Sequence, residues 1–301
     1  MKFSIITPVY NGEKYLEETI QSVLSQEGDF EVEYIIQDGE SKDKTMEIVK
    51  KYDTLLKEKK YPVQCKKITF IWFSEKDNGM YDAINKGFRH TTGDVYAYIN
   101  ADDFYLPNAF SSVSRVFEKY KEISWVKGIT DYVEKDGKLP VKGTCFLYNQ
   151  KWIHMGIYGR NAYFIHQDSV FWKAELWKKS GEIKNTLQYA GDYYLWLQCA
   201  KYAPLYSLNK EVSCFRTRKG QLTEEMQKYR EEQALLSKEQ GFLNFKIKLF
   251  FWTKQRFSKK LFSPFFVFIY RIFFQDTQTS YIEFDEKDTP FIKKTKSYII
   301  P

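Results

Sequence analysis

The sequence predicts an α/β protein built on a doubly wound, mostly parallel sheet, with a helical, basic and aromatic segment at the C-terminus. Three observations predict it. Strand-like and helix-like patterns alternate through the first 110 residues at the spacing of strand–helix–strand units. All four strand-like runs in that stretch end in polar or acidic residues, and such sheets bind ligands beyond the carboxyl ends of their strands. Residues 241–275 hold seven Lys/Arg, thirteen aromatics and no Asp or Glu.

Phe3–Val9 is a β-rich apolar run that stops at the turn Tyr10-Asn11-Gly12. Glu13–Gln26 follows, with Leu16, Ile20, Val23 and Leu24 at helical spacing. Tyr34-Ile35-Ile36 is a short second strand ending at Asp38-Gly39, and Asp43 caps a helix through about Lys59. Ile68–Phe73 is a third strand, ending in Asp77-Asn78-Gly79, with a short helix at Tyr81–Arg89. Asp94–Ile99 is a fourth, ending at Asn100-Ala101-Asp102-Asp103; Pro107 opens a helix through about Lys121.

From Trp125 the pattern loosens. Trp125–Val133 and Thr144–Tyr148 are expected as strands around an Asp136-Gly137 turn. Phe164–Trp172, a helix near Glu175–Lys179 and an amphipathic helix at Asp192–Lys201 follow. Residues 221–240 read as polar helix, and the chain after Gln275 as a charged, loosely ordered tail up to Tyr298-Ile299-Ile300.

The net charge of +7 belongs to one window: without residues 241–275 the chain balances at 39 basic against 39 acidic residues. A nucleic-acid-binding core is therefore not implied. Cys65, Cys145, Cys199 and Cys214 have no metal or redox spacing and read as reduced core thiols of a cytosolic protein. The N-terminus is no secretory signal, and no 18-residue apolar run exists to span a bilayer.

Several chemistries are excluded. No Gly-x-Gly-x-x-Gly follows a strand, and neither a phosphate-binding P-loop nor a Gly-x-Ser-x-Gly elbow occurs. Carboxylates remain. Asn100-Ala101-Asp102-Asp103 puts hard oxygen donors at a strand end, suited to Mg²⁺ or Mn²⁺ bridging a substrate's phosphates. Taken alone, the pair Asp102-Asp103 serves equally as a helix cap ahead of Pro107.

The series Ile5-Ile6-Thr7-Pro8-Val9-Tyr10-Asn11, Gln37-Asp38-Gly39 through Thr45, Asp77-Asn78-Gly79 through Gly87, Gly93-Asp94 and Asn100-Ala101-Asp102-Asp103 resembles a family 2 glycosyltransferase of the GT-A fold. The branch it resembles most builds bacterial O-antigen, capsule and exopolysaccharide. The likeness covers about residues 1–220, with a nucleotide-binding half near 1–110, an acceptor half near 111–220 and a membrane-proximal helical region at 221–301.

The resemblance implies a role for each matching residue. Thr7, Pro8 and Tyr10 line the base pocket, with the Tyr10 ring on the base. Asp38 bonds the base, uracil in the family's usual case. Asp77, Asp82, Asn85 and Lys86 border nucleotide and donor sugar. Asn100 stands where the family usually has the first Asp of its Asp-x-Asp motif and contacts ribose. Asp102 holds Mn²⁺ or Mg²⁺, assisted by Asp103. Asp192, in Gly191-Asp192-Tyr193-Tyr194, aligns with the catalytic base of an inverting displacement; on residues alone the helix cap is the favoured reading. His166 is a donor or acceptor contact, or a core histidine. Arg216 or Arg218 meets the diphosphate, with Arg216 the first choice, where the family more often shows Gly-Gly-x-Ser.

The expected partners are a nucleotide-diphosphate sugar, a UDP-sugar by the family's habit, and a glycan acceptor of the polyprenyl-diphosphate-linked class. An anionic membrane surface meets residues 241–275, whose cations and rings suit an interfacial helix. Packing of that helix on the catalytic domain is the other reading. The expected location is the inner face of the plasma membrane. A sugar nucleotidyltransferase and a non-catalytic, membrane-tethered nucleotide-sugar binder are the rival functions.

Overall fold

The computed structural model describes residues 1–134, 141–159, 162–218, 220–237, 241–256, 263–273 and 279–300. The first half alternates as expected: β1 (Lys2–Val9), α1 (Leu16–Leu24), β2 (Gly28–Asp38), α2 (Thr45–Lys57), β3 (Cys65–Ser74), α3 (Met80–Arg89), β4 (Val95–Tyr98), β5 (Phe104–Tyr105) and α4 (Ala109–Lys119). Then come β6 (Trp125–Glu134), α5 (Gln150–His154), β7 (Val170–Lys173), α6 (Ala174–Ser180), α7 (Gly191–Cys199) and β8 (Tyr206–Thr217). The C-terminal part holds α8 (Met226–Leu236), α9 (Gly241–Arg256), α10 (Ser263–Phe273), β9 (Thr279–Phe284) and β10 (Pro290–Thr295).

One sheet runs in the order β10-β9-β8-β6-β7-β4-β1-β2-β3, with β5 beside β8. β3, β2, β1 and β4 are mutually parallel, so their carboxyl ends share one rim. β7 enters antiparallel to both β4 and β6. Neighbouring strand residues face opposite sides. Ile6 and Ile35 pack under α3 and α5–α7, whereas Ile5 and Ile36 pack under α1, α2 and α4.

Four expectations are corrected. Thr144–Tyr148 is no strand: Phe146 makes a single bridge to Ile299, through Leu147 N–H to Tyr298 O and Ile300 N–H to Cys145 O. The tail after Gln275 is not loose where described. β9 and β10 form an antiparallel pair, and β9 joins β8 in parallel; Asp288 between them accepts from Lys210 at 2.9 Å and pairs with Arg115. The sheet therefore continues past the expected boundary near residue 220. Helix α7 is buried on most sides rather than on one face. The 12-residue β8 was not anticipated; Lys210 and Glu211 interrupt its apolar run, and its buried Ser207 and Ser213 are satisfied by Phe146 O and Asp168. The Asp136-Gly137 turn lies outside the described residues.

The four cysteines are unpaired, and all but Cys65 are buried. Among the described residues no helix is long and apolar enough to cross a membrane.

Candidate active site

A cavity of about 660 Å³ opens at the carboxyl ends of β1 and β4. The sequence that ends each strand builds its wall. β1 delivers Pro8 and Tyr10, and Tyr10 is 64% exposed, an aromatic face left to solvent inside a pocket. Asn11 follows in the left-handed region (φ 52°), which Asn tolerates. Its N–H donates to Ser41 Oγ at 2.8 Å and its Oδ1 accepts from Lys42 N–H at 2.8 Å, tying the loops after β1 and β2 together. β4 delivers Asn100 and Asp102. Asn100 Oδ1 is buried without a hydrogen-bond partner among the described residues, a state a bound ligand would relieve. Lys14 and Arg218 supply positive charge to the same cavity.

Asp77 lines the cavity opposite β1. It approaches so closely that a Cβ on Gly39 would stand 2.6 Å from its Oδ2, so any larger residue there would displace the carboxylate. Burial raises the Asp77 pKa, reinforced by Asp82 and Asp38 and opposed by Lys86.

The structure thus brings Pro8, Tyr10, Asp77, Asn100 and Asp102 together and leaves the other expected donor contacts behind the wall. Thr7 is buried against the Tyr34 hydroxyl at 3.0 Å. Asp38 is fully buried and accepts from the Ser41 and Ser74 hydroxyls at 2.5 and 2.6 Å, locking the ends of β2 and β3. Asp82 accepts from Asn78 N–H at 3.0 Å. Asn85 spans to Ile183 and Asn185, and Lys86 donates to Lys76 O at 2.7 Å.

Of the two arginines it is Arg218, not Arg216, that faces the cavity. Arg216 is buried, paired with Glu18, and donates to the Asp102 carbonyl at 3.0 Å. Arg218 Nε donates to Asp102 Oδ2 at 2.5 Å, and Gln221 Nε2 reaches the same oxygen at 3.3 Å. Lys14, Gln221 and Phe215 were missed; on loops and a strand end, they carry no pattern that marks a pocket.

The metal expectation divides. Asp102 offers a carboxylate on the cavity wall beside the unpaired Asn100 oxygen, a hard donor set to which a diphosphate and waters would add the remaining ligands. Asp103 does not fit. It is fully buried, accepts from Arg216 N–H at 2.9 Å, and burial beside Asp102 and Asp168 pushes its carboxyl well above the usual range. No group of three metal-ligating side chains occurs among the described residues.

Asp192 lies in the first turn of α7, behind α3, whose Met80 and Ala83 line the cavity. Its Oδ1 accepts from Tyr193 N–H at 2.7 Å and from the Tyr229 hydroxyl of α8 at 3.1 Å. Burial raises its pKa to about 6, against those hydrogen bonds. Glu232, one turn beyond Tyr229, accepts from the N–H groups of Gln188, Tyr189 and Ala190 at 2.8, 3.0 and 2.7 Å. It anchors α8 to the loop that leads into α7 by satisfying three successive backbone donors there. Tyr229 and Glu232 were also missed: a polar helix read alone does not say what it covers. His166 sits apart, its Nε2 3.1 Å from the Tyr132 hydroxyl, and burial lowers its pKa to about 4, so the ring is neutral.

The chain is similar to known proteins. The model of the family described as Glycosyl transferase family 2 matches residues 4–173. A protein of Rickettsia typhi named as an uncharacterized glycosyltransferase is 26% identical over 243 residues, 80% of this chain and 71% of its own length. Chondroitin synthase of Escherichia coli is 26% identical over 211 residues, 69% of this chain but 28% of that protein. Among solved structures, residues 1–349 of S. aureus TarS in complex with UDP-GlcNAc match with a TM-score of 0.56 at 16% identity, covering 92% of this chain and 82% of that one. The mannosyltransferase PcManGT from Pyrobaculum calidifontis, in complex with GDP-Man and Mn²⁺, matches with a TM-score of 0.54 at 16% identity, covering 84% and 69%.

Proposed function

Because the chain belongs to glycosyl transferase family 2 and has the GT-A fold, we propose that it transfers a sugar, with inversion, from a nucleotide-diphosphate donor of the UDP-sugar class to a glycan acceptor in surface polysaccharide assembly. The observation that carries this reading is the convergence of an exposed Tyr10 ring, the unpaired Asn100 oxygen, the Asp102 carboxylate and the Lys14 and Arg218 cations on one cavity at the strand ends. An aromatic face suits a base, and cations suit a diphosphate. The relatives named for UDP-GlcNAc complexes and chondroitin synthesis support the donor and product classes.

In this reading Tyr10 and Asn100 position the nucleoside, and Lys14 and Arg218 hold the diphosphate oxygens, Arg218 giving up its hydrogen bond to Asp102 as the donor binds. Mn²⁺ or Mg²⁺, when bound on Asp102, neutralises charge on the departing diphosphate. Asp192 accepts the acceptor hydroxyl's proton as that oxygen bonds the anomeric carbon and the bond to the diphosphate breaks. A carboxyl with a pKa of about 6 is ionised at neutral pH and still basic enough for this work. Tyr229 must yield its hydrogen bond to the incoming hydroxyl.

The acceptor is read as a polyprenyl-diphosphate-linked glycan, reached at an anionic membrane surface on the cytoplasmic side. Support for the membrane is the outer face of the C-terminal helices: Phe245, Leu249 and Trp252 of α9 and Phe265, Phe268 and Ile272 of α10 are exposed, in a window with seven cations and no acid.

A thermal-shift panel of UDP, GDP, CDP and dTDP, each with Mn²⁺ or EDTA, tests the donor site. A nucleotide at 100 times its Kd stabilises the fold by about 2.7 kcal/mol. The expected result is a shift for one nucleotide, largest with metal. No shift for any nucleotide would overturn the reading.

A further inference from the structure

A second cavity, of about 210 Å³, lies beside the first and is lined by Lys127, Tyr132, Thr144, Phe146, Tyr163 and His166 among others. Ring contacts join the walls of the two. Phe215 lines the larger cavity, and its ring centroid is 5.7 Å from His166 and 6.3 Å from Tyr132, which line the smaller. The smaller cavity has stiff aromatic walls. Phe146 stacks on Tyr163 at 4.0 Å and 18°, and Tyr148 meets Tyr163 edge-on at 5.3 Å. The Tyr148 hydroxyl donates to Phe164 O at 2.7 Å and the Tyr163 hydroxyl to Leu147 O at 2.5 Å, so both rings are fixed from behind.

Its polar atoms are under-used. Lys127 is buried, and its ammonium donates to Gly128 O at 2.7 Å, occupying one of three protons; no carboxylate of the described residues lies within ion-pair distance. Asp168, whose charge favours the ammonium, accepts from the Ser213 hydroxyl at 2.5 Å on Oδ2, and its Oδ1 is buried with no hydrogen-bond partner among the described residues. Thr144 has no hydrogen-bond partner among the described residues, and His166 uses one ring nitrogen, towards Tyr132. Burying an ammonium with two free protons is costly, and the field of Asp168 offsets that cost without a hydrogen bond to either proton among the described residues.

Aromatic faces for C–H surface, with a few fixed donors and acceptors for hydroxyls, are the chemistry that recognises a sugar ring. The volume is below the roughly 300–1,000 Å³ of sites for drug-sized molecules and suits one ring. We propose that this cavity is an acceptor subsite that holds one pyranose unit of the glycan, set against its aromatic wall and hydrogen-bonded by Lys127, Thr144 and His166. It rests on the transferase reading and extends it from the donor to the acceptor.

The test is saturation-transfer NMR of the full chain with methyl glucoside, methyl galactoside and methyl N-acetylglucosaminide, with and without saturating UDP. At least one glycoside should give signal that survives UDP. Its binding should weaken roughly tenfold, a difference readily resolved in Kd, in Thr144→Trp, which fills the exposed mouth, and in Lys127→Met, which keeps the stem and removes the ammonium. Thermal melts identify any variant that fails to fold; Thr144 is on the surface, so its variant keeps the test decisive. Signal abolished by UDP, signal unchanged in Thr144→Trp, or no signal with any glycoside would each overturn the proposal. The UDP melting shift, measured on the same samples, reports the donor reading separately.

Discussion

At the scale of residues, chemistry turns on which polar groups the fold leaves accessible. Asp192 is expected to set the acid limb of activity. Its pKa is raised to about 6, so the ionised base is lost as pH falls through that value. The kcat/KM profile should fall below pH about 6, and Asp192→Asn should cost on the order of 10²–10⁴ in kcat. Tyr229→Phe removes a hydrogen bond that favours the ionised carboxylate, so the acid limb should move to higher pH. An unmoved limb would detach Tyr229 from the base. The strand-end residues were legible because turn residues such as Asn11-Gly12 and Asn78-Gly79 punctuate the chain where β1 and β3 finish. The choice between Arg216 and Arg218 was not, because it depends on Glu18, 198 residues away, capturing the first.

At the scale of elements, the C-terminal helices answer a question that composition left open. Packing and exposure both occur, on opposite stripes. Ile247, Phe250 and Phe251 of α9 and Phe266 and Tyr270 of α10 are buried, with Trp152 5.9 Å from Tyr270 and 6.4 Å from Phe251. Phe245, Leu249 and Trp252, at i, i+4 and i+7, face out. A helix apolar on two sides needs a second apolar neighbour. Vesicles containing phosphatidylglycerol should therefore shift Trp fluorescence to the blue, and Trp252→Glu with Phe268→Glu should abolish co-sedimentation without lowering Tm. Vesicle binding that survives both substitutions would move the membrane contact elsewhere. Thirteen aromatics announced a buried or interfacial segment, but only tertiary packing divides the described ones into buried and exposed.

At the scale of the molecule, the parallel half was readable because each of its units is local in sequence. The other half was not: β8 pairs with β6 across about 80 residues and carries polar side chains satisfied only by distant partners. The terminal hairpin was hidden for the same reason, since its charged surface resembles that of an unstructured tail. Its Ile282 is fully buried in the core shared with β1 and α4. Ile282→Ala should cost about 2–5 kcal/mol, read as a fall in Tm, with the nucleotide-induced shift retained. An unchanged Tm would mean that the hairpin adds nothing to the core.

That hairpin also decides where the sheet stops. Its outer strand β10 forms one rim and β3 the other. Each rim carries an adjacent exposed lysine pair, Lys293-Lys294 and Lys66-Lys67. Open strands are templates for further strands, and lysine is among the residues that spoil them. The long charged side chains at both rims disfavour the docking of a further strand, which limits fibrous self-association along the sheet.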